Sequence, residues 1–171
     1  MQLQDKSASI SVSEAALRST RTLAGMAEQR VNTRVDEKQW CAERRAQVAD
    51  YLNGEAVTHG AIGEWPAWYV APHVSVWAIE SARNPGSVGW WVICGDLPTD
   101  YVSSDGIKHP REAVRAIARR WHELVPYLER GESHPSVDLG TRETSATLAP
   151  LLRARSALLA GWADDDSVWP Q

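Results

Sequence analysis

The sequence predicts an α+β fold, with a small antiparallel sheet built on a tryptophan-rich hairpin at about residues 73–95 and packed by helices before and after it. Three observations lead there. The runs "HVSVWAIES" and "VGWWVIC" are rich in β-branched and aromatic residues, which suit a pleated, half-buried surface. Between them "RNPGS" places Pro85 before Gly86, the central pair of a type II turn. Upstream and downstream, apolar residues recur instead at helical spacing.

Taken in order, residues 1–10 read as a loose polar tail. Ser11 and Glu14 have capping-box spacing, and Ala16, Leu17, Thr20, Leu23, Ala24, Ala27 and Val31 follow as a stripe, so a helix is expected over about 12–30. Asp36 caps a second helix that lines Trp40, Cys41, Arg44, Val48, Tyr51 and Leu52 along one side and stops at Asn53-Gly54. The glycines and prolines of "GEAVTHGAIGEWPAWYVAP" exclude a long helix, and Trp65-Pro66 is a bond that admits the cis form.

The hairpin pairs roughly 73–82 with 87–95. A type II turn matches strand twist poorly, so its loop is expected to exceed two residues. Trp77, Ile79, Trp90, Val92 and Cys94 then share one face, and Val76, Ala78, Trp91 and Ile93 the other. Both faces are apolar, apart from Glu80, so both should be covered. "LPTDYVSSDGIKHP" reads as a loop of turn formers. A helix starts at Pro110 with Val114, Ile117, Trp121, Leu124, Val125 and Leu128 as its stripe. Pro126 should kink it or end it early, and Gly131 stops it. After the loop "ESHPSVDLGT", Leu148, Leu151, Leu152, Leu158, Leu159 and Trp162 mark a last helix with Pro150 near its start or at a bend. The organisation expected is one domain over 1–171, with 1–33 a helical extension and 163–171 an acidic tail.

Composition narrows the function classes. Nine tryptophans and four tyrosines with no phenylalanine indicate either a core with polar edges or a recognition surface, because the indole N–H wants a partner. The net charge of −4 argues against general nucleic-acid binding, which needs a basic footprint. Cys41 and Cys94 make no disulfide framework and read as reduced thiols. There is no signal-peptide pattern, and no apolar run approaches the roughly 20 residues of a membrane span, so a cytoplasmic protein without membrane partners is expected.

Chemistry could sit in two places. Asp96 and Asp100 flank Pro98 at the end of the second strand, and Lys108, His109 and Arg111 follow. Two carboxylates beside a histidine can run acid–base chemistry or hold a divalent ion. The competing account makes Asp96 and Asp100 braces, accepting backbone N–H bonds and pairing with Lys108 or Arg111. No stronger metal-ligand spacing is present, and no metal or cofactor is expected. Cys94 reads as a small buried hydrophobe, and His59 and His73 as structural histidines. The second place is the helix after Pro110. Arg111, Arg115, Arg119 and His122 form a stripe opposite the apolar one, either an ordinary solvated face or a docking surface for an acidic partner. Trp65, Trp68 and Tyr69 form a second candidate patch, since tryptophan, tyrosine and arginine dominate interfaces, although plain core accounts for them too.

The stretches "EWPAWYVAPHVSVWAIES", "GWWVICGDLPTDYV" and "KHPREAVRA" resemble a family of small uncharacterised bacterial proteins, a domain of unknown function. The resemblance covers about residues 36–130 and rests on Trp90, Trp91, Gly95, Asp96, Pro98, Asp100, Tyr101, His109, Pro110 and Arg111. It implies a bacterial, cytoplasmic protein and supplies no activity. The expectation is therefore a non-enzymatic binding protein, an immunity protein or adaptor that covers a toxin or other protein partner. The alternative is a small enzyme, with or without a metal, using Asp96, Asp100 and His109, and a third is a homodimer formed through the tryptophan-rich surface.

Overall fold

The computed structural model describes residues 8–9, 36–132, 134–135, 137–138 and 142–170. The helix expected over 12–30 lies outside them. The chain groups into two compact units, Ser11–Pro110 and Met1–Ile10 with Arg111–Gln171.

The first unit opens with helix α1 (Glu37–Gly54). Asp36 caps it as expected, accepting from the N–H groups of Lys38 at 3.1 Å and Gln39 at 3.2 Å. Such a cap is worth about 1 kcal/mol. Trp40, Cys41, Val48, Tyr51 and Leu52 are its buried side. The residue with a left-handed backbone after the helix is Ala56 (φ 51°) rather than Gly54.

Four antiparallel strands follow in sheet order: β2 (Trp68–Val70), β3 (Val74–Glu80), β4 (Val88–Gly95) and β5 (Leu97–Ser103). The β3–β4 hairpin has the expected register, with Ser75 opposite Cys94, Trp77 opposite Val92 and Ile79 opposite Trp90. Gly86 takes φ 83° and Ser87 N–H donates to the Asn84 carbonyl at 3.2 Å, as a type II turn at Asn84–Ser87 requires. Ser81 N–H donates to Ser87 O at 2.9 Å and closes the longer loop. One face carries Tyr69, Ser75, Trp77, Val92, Cys94 and Tyr101, and α1 lies on it. Trp40 meets Tyr69, and Tyr51 meets Tyr101, each at 6.0 Å between ring centroids. Trp68, Val74, Val76, Trp91, Ile93 and Asp100 share the other face, all buried. Three of the sheet's indoles donate to acceptors within it or beside it: Trp77 to Ser75 Oγ, Trp90 to Thr58 O and Trp91 to Ile107 O.

The expected loop at "LPTDYVS" is instead the edge strand β5. Proline reads as a breaker, yet an edge strand tolerates it because its outward N–H has no ladder partner. The cis peptide is Ala71–Pro72, not Trp65–Pro66.

In the second unit, helix α2 (Pro110–Arg130) starts at its proline and buries Val114, Ile117, Trp121, Leu124, Val125 and Leu128. Pro126 does not end it. The stop is Gly131, at φ 63°, with Gly131 N–H on Leu128 O and Glu132 N–H on Tyr127 O, the paired bonds of a Schellman motif. Two short strands, β1 (Ala8–Ser9) and β6 (Val137–Asp138), pair in parallel, so residues 8–9 are not a loose tail. Helix α3 (Arg142–Asp164) begins well before Pro150 and contains it. The acidic tail is ordered as well, with a 3-10 turn at Asp166–Val168 and Trp169 buried.

Candidate functional site

The turn between β4 and β5 is a single residue, Asp96. Gly95 has φ 140°, and a Cβ built on it would sit 2.2 Å from the His73 carbonyl oxygen. Glycine alone lets the chain reverse there. Asp96 N–H then donates to the same His73 carbonyl at 2.8 Å, and its carboxylate meets His73 Nδ1 at 3.3 Å. Both side chains are half exposed. Asp100, fully buried, accepts from the N–H of Tyr101 at 2.8 Å. Tyr101 is itself buried edge-on to Trp90, 5.4 Å between centroids. Lys108 and His109 are exposed. Among the described residues, no group of three or more histidines, cysteines and carboxylates could hold a metal.

Cys94 is fully buried beside Ser75, 3.3 Å from its Oγ. Burial pushes its thiol up to about 11, and the Ser75 hydrogen bond and Arg44 charge offset this only in part. A thiol of that basicity is not a nucleophile near neutral pH. Burial, then the Glu37 charge, raises Cys41 as well.

The arginine stripe divides. Arg111 Nε donates to the Ala163 carbonyl at 2.6 Å, and its Nη1 pairs with Asp166 at 2.7 Å. Arg115 Nη2 reaches the same carbonyl at 2.7 Å and Asp164 at 3.3 Å. The carbonyls at a helix C-terminus lack intrahelical donors and favour cations, so the two arginines complete α3. Arg119 and His122 remain exposed on α2. Spacing made the stripe legible, but nothing in it named the acidic end of the same chain as the partner.

The tryptophan patch also divides. Trp68 is only 4% exposed and lies in β2, and Tyr69 is half-buried with its hydroxyl donating to Glu37. Trp65 is 51% exposed, the largest apolar side chain in water among the described residues. Its loop is braced on both sides. Gly60 N–H donates to Glu80 O at 2.8 Å, Ile62 bridges Ile79, and Ala67 N–H donates to Val76 O at 2.8 Å. The segment 63–66 therefore lies between two stretches that pair with β3. Arg45 of α1 grips its base, donating to the carbonyls of Ile62 at 2.9 Å and Gly63 at 2.8 Å. Glu80, the residue that spoiled its strand's pattern, accepts from Ala61 N–H at 3.0 Å and Gly86 N–H at 2.8 Å. These bonds hold its carboxyl below the ordinary range. Sequence reasoning did not single out Arg45, whose role depends on a loop distant in sequence.

An open groove in the second unit, lined by Leu128, Arg130, Ala149, Pro150 and Arg153, has its charges already engaged. Arg153 pairs with Glu129, and Arg130 pairs with Glu132 while stacking on Tyr127.

Residues 34–169 match the family model described as domain of unknown function DUF4826. The chain belongs to that family. The match runs through α3 to Trp169, further than the 36–130 that the sequence resemblance reached. No curated protein and no solved structure matches the chain.

Proposed function

We propose that this DUF4826 chain is a non-enzymatic protein-binding module of the bacterial cytoplasm, an immunity protein or adaptor whose contact is centred on Trp65. The observation that carries the proposal is a half-exposed indole on a loop held at both ends by bonds to β3 and at its base by Arg45. A tryptophan on a loop whose backbone is already held loses less conformational freedom on docking, which suits an interface anchor. The net charge of −4 suits a protein partner better than nucleic acid.

The test is co-purification from the source cells with Trp65→Ala beside the parent chain. The substitution removes no core side chain, so melting should stay within about 2 °C. A partner recovered with the parent and lost with Trp65→Ala supports the proposal. Equal recovery with both chains removes Trp65 from the contact.

A further inference from the structure

The end of α3 and the residues after it bind the chain's own arginines as a short ligand would. Three chemical features are engaged together. The Ala163 carbonyl accepts from both Arg111 and Arg115, at 2.6 Å and 2.7 Å. The Asp164 and Asp166 carboxylates take the remaining charge, at 3.3 Å and 2.7 Å. The Trp169 ring lies 6.0 Å from the Arg111 guanidinium, and its Nε1 donates to Trp162 O at 2.8 Å.

The segment's internal bonds shape it for this contact. Asp165 accepts from both the N–H and the hydroxyl of Ser167, tightening the turn that returns Trp169 towards Arg111. Its ion pairs stay wet, however. Asp164 and Asp166 are 76% and 84% exposed, and exposed pairs hold weakly. The segment also covers only half of the cationic stripe, for Arg119 and His122 continue along α2 exposed. An acidic chain that spans the whole stripe would meet more charge than the resident segment does.

We propose that Arg111 and Arg115 form a recognition site for an acidic protein segment carrying an aromatic residue, and that residues 164–169 occupy it as an exchangeable strap. A partner of that chemistry docks by displacing the strap and extending on to Arg119. The site uses none of the residues of the Trp65 loop and does not depend on the reading given to them.

The probe is a fluorescent peptide with the sequence of residues 163–171, Ala-Asp-Asp-Asp-Ser-Val-Trp-Pro-Gln. In a strap-release variant of the full chain, Asp166→Asn with Trp169→Ala, anisotropy should show binding at least about tenfold tighter than to the parent, weakening as salt rises. Adding Arg111→Gln and Arg115→Gln to that variant should abolish the gain. Binding no tighter than the parent's, or binding that survives the arginine substitutions, overturns the proposal. So does a release variant that no longer melts cooperatively, because the strap is then part of the fold. The unmodified chain gives a second test. Excess unlabelled peptide should speed amide hydrogen exchange at Val168 and Trp169, and unchanged exchange overturns the proposal independently.

Discussion

Gly95→Ala should be among the costlier single-methyl changes in this chain. The residue sits at φ 140°, a region that L side chains rarely adopt, and a new Cβ would meet the His73 carbonyl oxygen at 2.2 Å. The contact is with backbone, so no side chain can rotate away. Forcing a non-glycine residue into such a conformation costs on the order of 1–3 kcal/mol. Moving His73 also weakens the Asp96 N–H bond to its carbonyl, now 2.8 Å, worth about 1 kcal/mol more. The expected loss is about 2–4 kcal/mol, which in a chain of this size lowers the melting temperature by roughly 5–15 °C. Gly86→Ala is the control. It too has a positive φ, 83°, but nothing lies within 4 Å of its would-be Cβ, so only the conformational strain remains. Melting of both variants, followed by circular dichroism, checks the reasoning. If Gly95→Ala melts within about 2 °C of the parent, or no lower than Gly86→Ala, then the close approach to His73 does not shape the turn.

Two further outcomes are expected. Glu80 has its carboxyl held low by the Ala61 and Gly86 N–H bonds, so its contribution is complete above the ordinary carboxylate pKa of about 4.3 and fades as pH falls through the lower folded-state value. The gap in urea midpoint between parent and Glu80→Gln should therefore hold steady from pH 6 to 8 and close below about pH 4. A gap that widens on acidification would reverse the sign of the argument. Cys94, with its thiol pushed up to about 11, should resist iodoacetamide in the folded chain at pH 8 and react in 8 M urea. Labelling of Cys94 in the native chain, read by mass spectrometry, would mean that the sheet face under α1 opens.

The hairpin was legible because its signals are local. Pro85-Gly86 sets the turn, and alternation from Val76 to Trp91 then assigns each side chain to a face. Capping by Asp36 and the stripe on α2 are local in the same sense. β5 was not legible, because Leu97 to Asp100 have turn-forming neighbours and Pro98 among them. What makes them a strand is Gly95 passing against His73, a contact between residues more than twenty positions apart. The short pairing of Ala8 with Val137 is more distant still and left no pattern to read.

The candidate site divides along the same line. Sequence alone could list the aromatic and cationic residues: Trp65 and Trp68, three positions apart, and Arg111, Arg115 and Arg119 at helical spacing. Composition and spacing treat the members of each set alike. Only the fold separates Trp65, projected into water by a loop that Arg45 grips, from Trp68, buried in β2. Only the fold gives Arg111 and Arg115 to the end of α3 while leaving Arg119 exposed. The physical reason is that propensity and periodicity are set within a few residues. Exposure and charge pairing are set by whichever segment the chain brings alongside, and that is decided by packing across long sequence separations.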